Sequence, residues 1–229
     1  TSPSGRTSFG SGTTVSVTVK TTSQPESVVT LRRLDINGAG TGLMATGGAV
    51  VILENVRIGD NTLRGIFVDG GAYVDIQADT IVEDNGEGYW DTDRGGGVYC
   101  NGSNSEVTLG GRLHQNTAEK GANVYLANGC FMLAVGGSII SSEGIASPGA
   151  EKGGGAYIDN GGEFYASGGS QLVTFSHNVA YDGAGLYVKG TGRATLVNTR
   201  FLGSAAYVGA AIYATGGGTS GSPQVSMDR

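Results

Sequence analysis

The chain has 229 residues, enough for one large domain or two small ones, and 43 of them are Gly against a usual share of roughly 7%. Only 4 Pro and the lack of a three-residue period exclude collagen, while 38% hydrophobic and 15% charged residues exclude a disordered chain, which leaves a fold with many tight corners. Fourteen basic against 20 acidic residues give a net charge of −6, which argues against nucleic acid or an anionic membrane surface as partner.

No apolar run approaches the roughly 18 residues of a membrane span. Without an initiator Met, a leader or an anchor, the chain reads as a mature or excised part of a longer protein. Residues 1–27 are rich in Thr and Ser and hold one alternating stretch at 15–19. It is expected to be a strand capping the open end of a repeat region that begins at Val28, because an exposed sheet end invites pairing.

Residues 28–214 read as a repeat with three short strands per coil. First strands supply Leu31, Leu53, Ile76, Leu109, Ala134, Ala166 and Leu196. Second strands end in Ile36, Ile58, Val82, Leu113, Ile140, Phe175 and Phe201. Three residues after these come Ala39, Asn61, Asn85, Asn116, Glu143, Asn178 and Ser204. Asn tolerates the left-handed conformation of a sharp corner and can hydrogen-bond from coil to coil, so this column is assigned to both jobs.

Third strands begin with Leu43, Ile66, Val98, Val124, Ala156, Leu186 and Ile212. Two residues on lie Ala45, Val68, Cys100, Leu126, Ile158, Val188 and Ala214, and period-two alternation puts both sets inward. From the third strand to the next first strand the step is 8 residues in every coil but one, where it is 9, whereas the corner after the Asn column varies from 4 to 13. A constant core section, apolar columns in register and insertions at one corner predict an all-β, right-handed parallel β-helix of about seven coils. Residues 215–229 are a tail or the start of a further coil, with 224–227 able to open a first strand.

The unit Phe175, Ser176, His177, Asn178, followed by Gly183, Ala184, Gly185 and Leu186, resembles the repeat of the chlamydial polymorphic membrane proteins. That repeat pairs F-x-x-N with G-G-A and an aliphatic residue. Looser copies run from Leu113 and Asn116 to Val124, and from Val82 and Asn85 to Val98. The tetrapeptide at Gly47, Gly48, Ala49 and Val50 falls at the other corner. The resemblance spans about residues 56 to 214 and implies a surface-exposed, passenger-type β-helix used in adhesion or as a spacer.

Between the inward positions of the third strand lie Met44, Phe67, Tyr99, Tyr125, Tyr157, Tyr187 and Tyr213, which parity places outward. As an exposed ladder they would offer a contact stripe to a second subunit or to glycan rings. The bland reading is that stacked Tyr side chains merely stabilise neighbouring coils. An insertion at 83–94 carries five carboxylates and the single Trp, Trp90, a further candidate binding residue. Asp84, Glu87, Asp91 and Asp93 could hold Ca²⁺ through oxygen ligands or simply form a solvated acidic loop, and no other cofactor is implied.

A β-helix lyase or hydrolase would need clustered acids beside a basic residue. Asp75, Asp79, Glu83, Arg57 and Arg112 are the polar residues nearest that description, but no column concentrates carboxylates, so the sequence leans against an enzyme. His114 and His177 belong to different rows and are read as solvated. Cys100 is inward, and Cys130 falls in the small-residue column of Ala49, Ala72 and Ser105, so both are expected to be buried free thiols rather than a bridge. Asn101, Gly102 and Ser103 form a lone glycosylation sequon. The expected function is an extracellular or cell-surface rod, structural or adhesive. Its partners would be protein subunits, self or other, met through the aromatic stripe or the coil ends. A carbohydrate-binding or carbohydrate-cleaving β-helix is the alternative.

Overall fold

The computed structural model describes residues 7–8, 17–20, 28–86, 94–142, 150–216 and 222–228. Short strands recur in threes, and each strand pairs with its counterpart one coil away. Three eight-stranded sheets result, every pairing in them parallel. Sheet 1 collects the first strands, from Val28–Arg32 to Gln224–Asp228. Sheet 2 runs from Thr7–Ser8 to Thr199–Leu202, and sheet 3 from Val17–Lys20 to Ile212–Thr215.

The apolar columns stack residue on residue. Ile36, Ile58, Val82, Leu113, Ile140, Phe175 and Phe201 are consecutive register partners in sheet 2, and all but Phe201 are fully buried. One coil cannot bury its own apolar face, so each side chain of the core is covered by the coils before and after it. Within 1–27 the alternating stretch forms Val17–Lys20, which pairs in parallel with Thr41–Thr46 and thus continues the solenoid rather than lying across its end. Gln224–Asp228 pairs with Arg193–Val197 as a further first strand.

Backbone chirality accounts for the constant corner. At Gly47–Gly48, Gly70–Gly71, Asn128–Gly129 and Asn160–Gly161, two successive residues have positive φ, as a type I′ turn requires. The coil with the longer step has Gly102 at φ 87° and Asn104 at φ 64° with Ser103 between them, so the extra residue is absorbed inside the turn.

The Asn corner differs from its expected form. Positive φ falls one residue earlier, at Gly38, Asp60, Asp84, Gln115, His177 and Gly203, and not on the Asn itself. That residue turns the chain, which frees the Asn side chain to point inward. Asn61, Asn85, Asn116 and Asn178 are 0–1% exposed. Nδ2 of Asn61 donates to Oδ1 of Asn85 at 2.8 Å, and Asn85 donates likewise to Asn116 at 2.9 Å. Glu143, the predicted next member, lies outside the described residues. There the ladder passes to Asn123, which accepts from Asn116 at 3.0 Å and donates to Asn178 at 3.4 Å. At Gly42, Gly65, Gly97, Gly155 and Gly185 the same position is Gly, and Gly97 shows a steric reason: a Cβ there would sit 2.6 Å from the Asn123 carbonyl oxygen and 2.9 Å from Nδ2 of Asn116.

Cys100 and Cys130 are joined by a disulfide with Cα atoms 5.9 Å apart, which corrects the expectation of two free thiols. Both were rightly placed in the interior, where each is fully buried. Cys100 lies in the third strand Val98–Asn101 and Cys130 sits at the corner just before the first strand Phe131–Val135, so a loop of 30 residues closes to bonding distance. Column membership located each thiol in its own sheet but did not reveal that the two columns meet at the corner.

Candidate functional site

The aromatic column forms as a ladder. Phe67, Tyr99, Tyr125, Tyr157, Tyr187 and Tyr213 are register partners in successive strands of sheet 3. Ring centroids lie 4.9–5.4 Å apart. The first pairs meet edge to face, at 72° and 88°, and the Tyr125, Tyr157 and Tyr187 rings stack at 5° and 4°. Parity therefore predicted the ladder and its outward direction correctly.

Its exposure is another matter. Tyr125, Tyr157 and Tyr187 are only 3%, 2% and 5% exposed, and Phe67, Tyr99 and Tyr213 are half-buried. The insertions themselves are the cause. Ala150–Lys152 and Ala180–Asp182 pair as a small outer sheet, extended by bridges from Arg94 to Lys120 and from Lys120 to Lys152. Gly153 then turns the chain back so closely that its Cβ would lie 3.0 Å from Cβ of Tyr157. Guanidinium groups close the ladder elsewhere, Arg64 at 5.0 Å from the Tyr99 ring and Arg94 at 5.4 Å from Tyr125. Burial pushes the Tyr187 phenol up to about 12, with the neighbouring Tyr213 and Asp182 adding to it. Tyr157 is raised further, again chiefly by burial and then by Asp159. The expected contact stripe is thus a second, smaller core between sheet 3 and the corner insertions.

Glu87, Trp90, Asp91 and Asp93 lie outside the described residues. Asp84 is exposed, 3.8 Å from Nη2 of Arg57, and its carboxyl is raised by partial burial and by the charges of Glu83 and Asp60. Among the described residues no group of His, Cys, Asp and Glu is arranged to hold a metal ion.

Arg57 is the centre of the only cluster formed by the catalytic candidates. It meets Glu83 at 2.6 Å, Asp60 at 2.8 Å and Asp35 at 3.3 Å. Burial works against its charge, but the hydrogen bonds and charges of Glu83 and Asp60 more than offset this and hold it firmly protonated. An arginine so engaged is a clamp on sheet 2, tying one coil to the next, and is poorly suited to taking up a proton. Arg112 lies on the same sheet and donates to Nδ1 of His114 at 3.2 Å. Asp75 belongs to sheet 1, and Asp79 accepts from the Asn55 backbone N–H at 3.0 Å, so the five candidates do not converge. Asn101 of the sequon is tied down, donating to Asp69 at 3.3 Å and accepting from Asn128 at 2.7 Å.

Two surface features were missed from the sequence. Tyr181 and Tyr207, 47% and 87% exposed, stack at 5.7 Å on the outer corner. They were overlooked because they fall in the variable spacer. The outer face of sheet 1 carries a small apolar patch of Phe131, Leu133, Val135 and Tyr165, flanked by Glu106, Thr108, Glu163 and Ser167. Its signal was present in the strand Phe131–Val135, which is apolar at every position.

Three parallel sheets wound into a stacked coil define a β-solenoid whose interior is filled by side chains. A family model described as a right-handed β-helix region matches residues 16–220, and the chain belongs to that family. No curated protein and no solved structure matches the chain. Among the described residues, no helix is long and apolar enough to cross a membrane.

Proposed function

We propose that this chain is a structural or adhesive rod of the cell surface or extracellular space. The observation that carries the reading is the fully buried Cys100–Cys130 disulfide, since such bonds form and persist in oxidising compartments and are rare in the cytosol. The resemblance of Phe175 to Asn178 and Gly183 to Leu186 to the polymorphic membrane protein repeat supports the same placement. A filled core, with its polar corner groups engaged in the Asn ladder, suits a spacer that must keep its shape outside the cell.

The test is surface labelling of intact cells carrying the full-length protein with a membrane-impermeant amine reagent, followed by non-reducing peptide mapping. Exposed Lys20 and Lys189 should be labelled and Cys100 should be found linked to Cys130. Unlabelled lysines with free thiols would overturn the proposal.

Carbohydrate binding is a second reading, favoured by the exposed Tyr181 and Tyr207 pair, whose apolar faces and polar rims suit ring-shaped polar ligands. A glycan array probed with the wild type and with Tyr207→Ala decides it: signal must appear and then fall in the variant, and an array blank for both proteins removes this reading.

A further inference from the structure

Phenol rings meet one another in two settings in this fold. Those of the sheet 3 ladder are roofed: Tyr125, Tyr157 and Tyr187 are buried, and the flanking Tyr99 and Tyr213 are half-buried. Tyr181 lies in the roof itself, in the strand Ala180–Asp182, where Ala180 is buried and Tyr181 is exposed, so its side chain leaves by the opposite face. Backbone N–H groups of Tyr207 and Val208 donate to the Tyr181 carbonyl oxygen at 2.9 and 3.2 Å, and bridges join Val179 to Ala205 and Asp182 to Val208. Beneath this ribbon Ala150, Ala180, Ala184 and Ala206 pack together and seat it on the coil.

The two rings of the ribbon are thus held by main-chain pairing and not by each other. Their centroids lie 5.7 Å apart at 14° between planes, close to the spacing of about 4.8 Å that neighbouring strands impose, and both rings remain open to solvent. Tyr165 is exposed as well, but its register partners are Leu133 and Thr195, which carry no phenol. Tyr73 stands between Val50 and Glu106. Among the described residues, Tyr181 with Tyr207 is the one contact between two exposed phenols.

We propose that Tyr181 and Tyr207 form an oxidative cross-linking site, at which a haem peroxidase acting with hydrogen peroxide joins the two rings as dityrosine. Each phenol gives up one electron and one proton to the peroxidase. The two phenoxyl radicals then form a carbon–carbon bond between ring positions next to the hydroxyls, and the hydrogens on those carbons shift to the oxygens and restore both phenols. The pair loses two hydrogen atoms in all, and peroxide takes them up as it is reduced to two waters. The new bond closes the loop from residue 181 to residue 207 and ties neighbouring coils at the outer corner, as Cys100–Cys130 does at the constant one. The inference rests on the rod reading for its oxidant alone, since a protein of the cell exterior meets peroxide outside the reducing cytosol.

The test is made on the purified 229-residue chain in solution, so its failure is separate from that of the cell-surface labelling. Hydrogen peroxide with a haem peroxidase should give a monomer lighter by two hydrogen atoms, with the blue fluorescence of dityrosine and a higher urea midpoint than the untreated chain. Tryptic mapping should link the fragment 153–189 to the fragment 201–229. Tyr187 and Tyr213 fall in the same two fragments, so variants assign the bond. Tyr181→Phe and Tyr207→Phe each keep a ring in place and should abolish both the fluorescence and the link, while Tyr187→Phe should leave both unchanged. A chain that yields no dityrosine overturns the proposal, as does a link that survives Tyr207→Phe or one replaced by covalent dimers. So does an unchanged urea midpoint in the linked chain, since a bond that constrains nothing does not tie the coils.

Discussion

The Asn85 side chain is the place where one substitution should do the most harm for its size. Its Oδ1 accepts from the backbone N–H and Nδ2 of Asn61 at 3.2 and 2.8 Å, while its Nδ2 donates to Ile58 O, Glu83 O and Asn116 Oδ1 at 3.0, 2.9 and 2.9 Å. Asn85→Ala removes all five contacts from a site with no access to water. Asn61 Nδ2 keeps Gly59 O at 3.0 Å, but the Asn61 backbone N–H loses the partner that faces it. One stranded donor costs about 1–3 kcal/mol and the remaining net hydrogen bonds and the void add a similar amount, so a loss of about 3–5 kcal/mol is expected. Asn85→Asp sharpens the test, because it keeps the shape and replaces the donor with an oxygen facing three oxygens. The folded state then favours the protonated acid and raises its pKa above the ordinary 3.9 or so of the unfolded chain. Stability relative to Asn85→Ala is retained below about pH 4 and falls as the pH rises toward 7. Urea unfolding followed by circular dichroism at pH 4 and pH 7 measures both effects, with the exposed Ser103→Ala as control. If Asn85→Ala costs no more than Ser103→Ala, or Asn85→Asp shows no pH dependence, the ladder does not hold the corner.

Replacing Cys100 and Cys130 together with Ala should cost about 4 kcal/mol, the chain-entropy value for a loop of this length, in the same urea assay without reductant; an unchanged midpoint would mean that the bond does not form. Tyr187 and Tyr157 should remain protonated at pH 11 in an ultraviolet titration, since burial raises both phenols. Their folded pKa values exceed the unfolded value of about 10, so the stability they contribute is complete below pH 10 and declines above it. Ionisation of every Tyr in the folded chain by pH 11 would contradict the roofed ladder.

The solenoid was legible because its core obeys a rule that one chain displays many times over. Ile58, Val82 and Leu113 are individually unremarkable apolar residues, yet their recurrence with a constant corner admits one stacking. Even the single 9-residue step had a local explanation waiting in Ser103, between two left-handed residues. Asn123 shows the limit of reading columns singly. It sits in a column that is Gly at five of its other six positions and Ala211 at the sixth, and looks out of place until the coil with Glu143 is seen to lack an Asn, a compensation visible only when the two columns are adjacent in space.

Outward parity states which way a side chain leaves the strand, and says nothing of what lies beyond it. Tyr157 and Leu133 have equivalent parity in their sheets, yet Tyr157 is 2% exposed and Leu133 remains partly open. The difference arises at the corners. Insertions after the Asn column are long enough to pair with one another and roof sheet 3, while the eight-residue corner beside sheet 1 is spent almost entirely on its turn. Corner length therefore decides which outer face the chain can cover by itself. It follows that the roof over sheet 3 depends on the insertions, so deleting Ala150–Lys152 should expose Tyr157 and bring its phenol back toward its ordinary range in the ultraviolet titration. If Tyr157 titrated unchanged in that folded variant, something other than the insertions would have to cover the ladder.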